Sequence, residues 1–355
     1  MKKIVTFQKI LITFLATIIV FCCLTYKYNL SAVSKKSNKI EFEVTENQTF
    51  SSIAKNLKEK NLIKSEFFYK LYVKLMKPTG LQVGTYELNQ NMTVEKIVNT
   101  LSKGAPLVST TVTFKEGINM RKVISLITEN TDITEKEILD KLNDKEYLNS
   151  LINQYWFLTD DILNENIYYS LEGYLYPNTY QIASHDSLEN IFKAMLDEMN
   201  NKLINYKKEI EKSDYTIHEI LTLASIVELE GSNSNDRSGV AGVFYNRLKS
   251  GWSLGSDVTT YYGAKVDMSE RDLYQSEINA YNAYNTRNSK MAGLLPIGPI
   301  CNPSIESIKA VLNPTDHNYY YFVADKTGKT YFSKTANEHV KKVNQLKSEG
   351  LWYEY

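Results

Sequence analysis

Thr216-Ile-His-Glu-Ile-Leu-Thr-Leu-Ala-Ser-Ile-Val-Glu-Leu-Glu-Gly231 is the stretch from which the rest of the chain can be organised. Thr216 followed three residues later by Glu219 is a capping-box pattern, and Gly231 stands where a helix stops, so the spacing predicts a helix over 215–230. At about 100° per residue, Glu228 projects into the sector of Ile217, Ile220, Leu221 and Ala224, whereas Glu230 falls away from it, near Glu219. The expectation is two carboxyls in unlike surroundings, Glu230 on the wetter side and Glu228 desolvated at the end of an apolar stripe. A carboxyl so placed titrates above its ordinary range and stays protonated near neutral pH, the state a general acid needs. A buried glutamate also serves as an ion-pair partner, and Arg247 in the next helix is then the candidate cation. Both readings of Glu228 stand at this point.

Three flanking segments share one chemistry. Leu171-Glu-Gly-Tyr-Leu-Tyr-Pro-Asn-Thr-Tyr180 gathers Glu172 and Tyr176 around Gly173 and Pro177. Phe244-Tyr-Asn-Arg-Leu248, with Asn246 and Arg247, leads into Gly255-Ser-Asp-Val-Thr-Thr-Tyr-Tyr-Gly263, with Asp257 and Thr259. Tyr284-Asn-Thr-Arg287, with Asn285 and Thr286, precedes Gly293-Leu-Leu-Pro-Ile-Gly-Pro-Ile-Cys-Asn-Pro303. Amides, hydroxyls and aromatic faces on loops fixed by Gly and Pro suit an oligosaccharide, which offers hydroxyls to bond and C–H faces to stack. The same residues make ordinary turns and caps, so a purely structural role for the loops is the competing reading.

Further out, helices are expected at 132–151, 186–212, 237–250 and 304–312, and late strands at 319–325 and 329–333 across a turn at Lys326-Thr327-Gly328. Toward the amino end a strand–turn–helix unit recurs: 40–44 with 49–60, 84–88 with 93–101, and 110–114 with 120–127. Another helix is expected over 64–76. The fold class is α+β, with a small module at 40–106 similar in build to LysM peptidoglycan-binding modules, and a larger α+β domain at 107–355. A spacer that binds nothing is the alternative for the module.

Residues 10–26 carry no charge and fit a single transmembrane helix, preceded by a short terminus at 1–9 and followed by a lysine-rich linker at 27–39. Tyr26 and Tyr28 fall where an interfacial belt would be. Ile19, Val20 and Phe21 before Cys22 do not make a lipoprotein signal, and lysines on both sides leave the orientation open by charge alone. Lys+Arg and Asp+Glu are both 41 in the 355 residues, so the formal charge is zero and no attraction to nucleic acid follows. Cys22 and Cys23 lie in the apolar segment and leave Cys301 alone, and four scattered histidines have no ligand spacing. Neither a metal nor a cofactor is expected. The 26 tyrosines can stack on sugars, although half-buried core positions use Tyr as well.

LEGYLYPNTY, ASIVELEG, VAGVFYNRLKSGWSLGSDVTTYYG, YNTRNSKMAGLLPIGPICNPS and NPTDHNYYYFVADKTGKTYFS, in this order, resemble the YceG-like family of endolytic murein transglycosylases. The resemblance covers most of 107–345. It implies a catalytic glutamate at Glu228, with Glu172, Tyr176, Asn246, Arg247, Asp257, Thr259, Asn285 and Thr286 on the substrate. Arg287 stands where the family pattern often has Tyr, Ile297 where it has a second Pro, and Leu229-Glu230-Gly231 replaces a Lys-Glu-Thr type ending. The implied reaction cleaves the β-1,4 bond after N-acetylmuramic acid inside nascent glycan strands and ends them as 1,6-anhydro sugars, which terminates elongation. It implies a lyase held in the cell membrane by one span with its catalytic domain extracytoplasmic, working beside penicillin-binding synthases and the elongation and division machinery. The alternatives are a water-using muramidase, with Glu172 or Asp257 as second carboxylate, and a non-catalytic peptidoglycan-binding scaffold.

Overall fold

The computed structural model describes residues 2–45, 47–104, 109–183, 186–231 and 234–352. His185 and the 106/107 boundary lie outside the described residues. The chain divides into two units, Met1–Val108 and Ser109–Tyr355, each with its own hydrophobic core. Helix and strand are mixed in both.

In the first unit, Lys2–Leu30 is a single helix, α1, whose stretch Thr13–Leu30 is apolar enough to cross a membrane, with a mean hydropathy of 1.4. There follow β1 (Lys39–Val44), α2 (Ala54–Glu59), α3 (Glu66–Met76), β2 (Gly84–Asn89) and α4 (Val94–Lys103). The two strands pair antiparallel with Phe42 opposite Tyr86 and Ile40 opposite Leu88. Because side chains alternate, Phe42, Val44, Tyr86 and Leu88 share one buried face. Helix α4 covers that core with Val94, Ile97, Val98 and Leu101, an i, i+3, i+4, i+7 stripe, and Thr93 caps its first turn. Residues 31–38 are not slack, since the Ser34 N–H donates to Gln90 O at 3.0 Å and the Gln90 N–H to Asn38 O at 3.1 Å.

The second unit runs β3 (Ser109–Thr113), α5 (Met120–Asn130), α6 (Glu135–Leu142), α7 (Lys145–Gln154), β4 (Thr179–Ala183), α8 (Leu188–Leu203) and α9 (Lys207–Lys212). It continues with α10 (Ile217–Glu230), α11 (Ser234–Lys249), α12 (Asp257–Gly263), α13 (Gln275–Asn279), α14 (Ile305–Leu312), β5 (Tyr321–Ala324), β6 (Thr330–Ser333) and α15 (Ala336–Ser348). The third strand–turn–helix unit of the sequence does not extend the first sheet. Its strand, β3, pairs antiparallel with β4, Val112 facing Tyr180. The expected helix at 132–151 is two helices, because Asp144 accepts from the N–H groups of Glu146 and Tyr147 and starts α7. The one at 186–212 is interrupted by a tighter turn at Ile204–Tyr206. The 257–263 segment, read as loop, is α12.

Helix α10 forms over the quoted stretch with the capping box Thr216–Glu219 made in both directions. Its surroundings differ from the expectation. Apart from Glu219, every residue from Ile217 to Glu228 is buried, because α11, α12 and α14 all pack around it. A helix enclosed on all sides has no wet face, so the angular argument that separated Glu228 from Glu230 does not apply. Gly231 ends it for a steric reason rather than for a left-handed turn, its φ being −79°. A Cβ there would lie 2.6 Å from Arg237 Cγ and 2.9 Å from Val227 O, which the returning α11 does not allow.

Asn302 ties distant parts of the unit together. Its side-chain oxygen accepts from the Gly173 and Leu175 N–H groups, both at 3.0 Å, and its amide donates to Ile118 O at 3.1 Å. Gly173 makes this possible, with φ +86° and a Cβ position only 2.3 Å from Pro299 Cβ. Gly173→Ala is expected to cost the strain of a left-handed alanine plus overpacking, about 2–4 kcal/mol in all. Urea unfolding of the variant checks it, and an unchanged midpoint would refute the account.

Candidate active site

Glu228 ends the buried part of α10 and is surrounded by donors. Its Oε1 accepts from Arg237 Nη2 at 2.7 Å, and its Oε2 from the Ser304 N–H at 2.8 Å and the Ser304 hydroxyl at 2.5 Å. Both partners of the ion pair are nearly out of solvent, with side-chain exposures of 4% and 13%. The cation is Arg237, at the start of α11, and the candidate Arg247 lies nearly three turns further along. Ser304 is also the N-cap of α14, so one carboxylate links the ends of three helices.

Glu230, two residues on, faces a different setting. It lines a cleft of about 640 Å³ with Arg247, Ser256, Asp257, Arg287, Tyr321, His339 and Trp352 among its walls. Among the described residues its carboxylate accepts one hydrogen bond, from the Ser256 hydroxyl at 2.6 Å. Desolvation pushes its titration above the ordinary carboxylate range, and the Asp257 carboxylate adds to this. The Ser256 hydroxyl and the guanidinium groups of Arg247 and Arg287 oppose the shift without cancelling it. A raised carboxyl is thus found at Glu230, the residue expected on the wetter side, which is no surface group.

The remaining candidates divide into two sets. Arg247 and Asp257 line the cleft. Arg247 is held by Tyr320 O at 2.7 Å and by Leu254 O, while the exposed Asp257 pairs with Arg287 Nε. The others are inside the walls. Asn246 donates to the carbonyls of His317 and Tyr319 at 2.8 and 2.9 Å. Asn285 is fully buried, its amide donating to Ile278 O and Ala280 O and its oxygen accepting from Thr260. Thr259 and Thr286 share a hydroxyl contact of 2.7 Å, and Thr286 accepts at its hydroxyl from the Ser256 N–H and at its carbonyl from Gly255 N. These bonds fix the loop carrying Ser256 against the loop carrying Arg287. Tyr176 is buried beside Met195, whose carbonyl accepts from its N–H.

Glu172 is away from the cleft. Wholly buried, it accepts from the Met120 N–H at 2.9 and 3.1 Å, at the first turn of α5, and from the Tyr262 hydroxyl at 3.0 Å. Burial pushes it up to about 8 despite these donors. Its chemistry is that of a helix start, and it is not among the residues that line the cleft.

Sequence reasoning missed Glu230, Ser256, Arg287, Tyr321, His339 and Trp352. Ser256 and Arg287 stand inside quoted segments, Arg287 as a departure from the family pattern. Tyr321 stands in the last of the quoted motifs, while His339 in α15 and Trp352 beyond it lie where nothing local marks a cleft wall. His339 is held neutral-leaning by burial and by Arg247, both of which lower its basicity.

The order of these elements has a counterpart among known proteins, since a model of the YceG-like family matches residues 42–345. The chain belongs to the YceG-like family. An endolytic murein transglycosylase of Bacillus subtilis (strain 168) is 37% identical over 317 residues, which are 88% of this chain and 86% of that protein. Its namesake from Streptococcus pneumoniae serotype 2 (strain D39) is 30% identical over 334 residues, 88% of this chain and 59% of the streptococcal protein. A crystal structure of a YceG-like protein from Listeria monocytogenes superposes with a TM-score of 0.61 at 32% identity, over 86% of this chain and 100% of the other. Within this YceG-like chain the two glutamates of α10 differ in what they hold up. Glu228→Gln leaves the buried Arg237 charge without its counter-ion and is expected to lower stability by about 3–5 kcal/mol. Glu230→Gln keeps an acceptor for Ser256 and is expected to change it by less than about 1 kcal/mol. Thermal unfolding of the two variants side by side checks the contrast, and equal losses would contradict it.

Proposed function

We propose that this chain is an endolytic peptidoglycan lytic transglycosylase, a lyase that cuts glycan strands internally, with Glu230 as its general acid. The reading rests most on one observation: Glu230 carries a raised carboxyl in a roomy cleft while making a single side-chain hydrogen bond among the described residues. A protonated Glu230 gives its proton to the glycosidic oxygen between N-acetylmuramic acid and N-acetylglucosamine as the C1–O bond breaks. The resulting carboxylate takes the proton of the muramoyl C6 hydroxyl, whose oxygen closes on C1 as a 1,6-anhydro ring. The nucleophile belongs to the substrate, so one carboxyl serves both steps. Asp257, exposed in the same cleft, is placed to stabilise positive charge at C1, and Arg247 and Arg287 face the polar groups of the sugars.

The sequence resemblance assigned the acid to Glu228, and the carboxylate there is occupied by Arg237 and Ser304. For Glu228 we propose the structural role. Asn246, Thr259, Asn285 and Thr286 act as positioning residues that set the two cleft loops, and Glu172 and Tyr176 belong to the core. Hydrolysis by a water activated at Asp257 is the second reading, favoured by the exposure of that carboxylate at 57%.

The strand–helix–helix–strand order of β1, α2, α3 and β2 supports reading 40–106 as a LysM-like module, with 107–355 as the catalytic domain. We assign α1 as a single-pass anchor over 10–26, a reading that the apolar stretch Thr13–Leu30 supports, with both units on the extracytoplasmic side. Peptidoglycan synthases and the elongation and division machinery are the partners that a strand-terminating enzyme would work beside.

Digestion of purified peptidoglycan by the full chain, followed by mass spectrometry, tests the reaction. Anhydromuramoyl products, lighter than hydrolytic ones by one water, are expected. Loss of the acid is expected to lower their formation about 10²–10⁴-fold in Glu230→Gln, and much less in Glu228→Gln assayed where it is folded. Reducing muramoyl ends would move the reading to hydrolysis, and an active Glu230→Gln would remove Glu230 from the mechanism. Because the acid must be protonated, the rate falls as pH rises through the Glu230 titration. The Ser256 hydroxyl favours the ionised form, so Ser256→Ala raises that titration further and shifts the alkaline limb to higher pH. A limb that stays in place or moves to lower pH would contradict the assignment.

A further inference from the structure

Helix α3 presents an apolar face that the core of its unit does not use. Tyr69 and Tyr72 are the residues it buries. Phe67, Phe68, Leu71 and Leu75 fall within an arc of about 100° on another side of the helix. On that side Phe67 is 68% exposed and Leu75 62%, with Met76 at the end of the helix also 62% exposed. Isolated exposed apolar residues are ordinary, but a contiguous set on one helix face marks a contact surface.

The neighbour of this face identifies what covers it. Phe68, Leu71 and Leu75 form an apolar groove with Phe21, Cys22, Cys23, Thr25 and Tyr26 of α1. The joint is fixed from the other end, where Lys64 Nζ donates to Ser31 Oγ at 2.8 Å and to Tyr28 O at 3.2 Å and lies 3.8 Å from the Tyr28 ring centre. The α1 residues in the groove precede the end of the helix at Leu30 by about 6–14 Å at the usual rise per residue. Interfacial helices bury their apolar face about 5–10 Å into the boundary between headgroups and chains, and α3 touches α1 over the last turns of its apolar stretch, where that boundary would fall. Lys70, paired with Glu66 at 2.5 Å, and Lys74 border the apolar arc and Lys77 follows it, the placement that suits cations beside an anionic leaflet.

We propose that α3 lies in the membrane interface as a second membrane contact, its Phe67–Leu71–Leu75 face covered by lipid and its lysines on anionic headgroups. The first unit is thereby seated on the bilayer instead of hanging from α1. This rests on reading α1 as a membrane span, and the test separates the two.

The full chain, with Cys22 and Cys23 replaced by Ser and Cys301 buried, is labelled with an environment-sensitive fluorophore at Leu75→Cys, Ile18→Cys or Glu95→Cys. It is reconstituted into vesicles of phosphatidylcholine and phosphatidylglycerol, and quenching by brominated lipid and by aqueous iodide is compared. The label at 75 is expected to be quenched several-fold more by brominated lipid than the label at 95 and to be shielded from iodide. Phe67→Cys provides a second position on the same face and is expected to behave alike. Lipid quenching at 18 with iodide access at 75 and 67 equal to that at 95 would overturn the proposal and leave the span standing. Shielding of 75 and 67 from both quenchers would overturn it in favour of a protein cover. Absence of lipid quenching at 18 would remove the span itself, and the proposal with it.

Discussion

Burying a carboxylate costs several kcal/mol unless donors replace the water it loses, and the larger unit is arranged around meeting that cost at Glu228. Arg237 and Ser304 supply the donors, one from the start of α11 and one from the cap of α14. The pairing therefore fixes how three helix ends meet. Its second effect is on the residues just beyond it in the chain. With Glu228 pinned, the next turn of backbone has nowhere to go but outward, and Glu230 emerges into the cleft at the point where α10 stops.

The two glutamates illustrate how environment assigns roles to identical side chains. One has three donors on its carboxylate, one of them the Arg237 cation. The other, among the described residues, accepts from one hydroxyl beside a neighbouring carboxylate, and desolvation raises its titration above the ordinary carboxylate range. The walls of the cleft are stiffened by bonds that never face the sugar. Asn285, Thr259 and Thr286 lace two loops together, and Asn246 holds the chain that leads into β5. Side chains chosen for hydrogen-bonding capacity can thus serve substrate recognition from behind, by keeping the groups in front of them in place.

Much of this was legible in the residues. The capping box at Thr216, the period of the apolar residues and the five ordered motifs indicated the helices, the mixed α+β class and the family. The paired strands at 321–324 and 330–333 were legible too, from alternation on either side of a Gly turn. The choice between Glu228 and Glu230 was not. A wheel drawn on one helix assumes one wet face, and α10 has none because three other helices enclose it. Nor could spacing show that Arg237, nine residues beyond Glu228, folds back to it while Arg247 does not. Such facts belong to the packing of α11 against α10, which turns on Gly231 and the room it leaves. The cleft walls contributed by Tyr321, His339 and Trp352 are of the same kind, since no local pattern distinguishes a residue on a wall from one on any other surface.

The cleft draws its lining from residues as far apart as Leu229 and Trp352, and Asn302 and Ser304 must reach back to Ile118 and Glu228. Contacts so far apart in sequence form late, after the long intervening loops have closed. A ribosome or an export channel releasing this chain amino end first therefore presents α10 well before the residues that complete its surroundings. Until residue 352 is free, the cleft beside Glu230 lacks its carboxy-terminal wall. The cleft is therefore complete only in the finished fold.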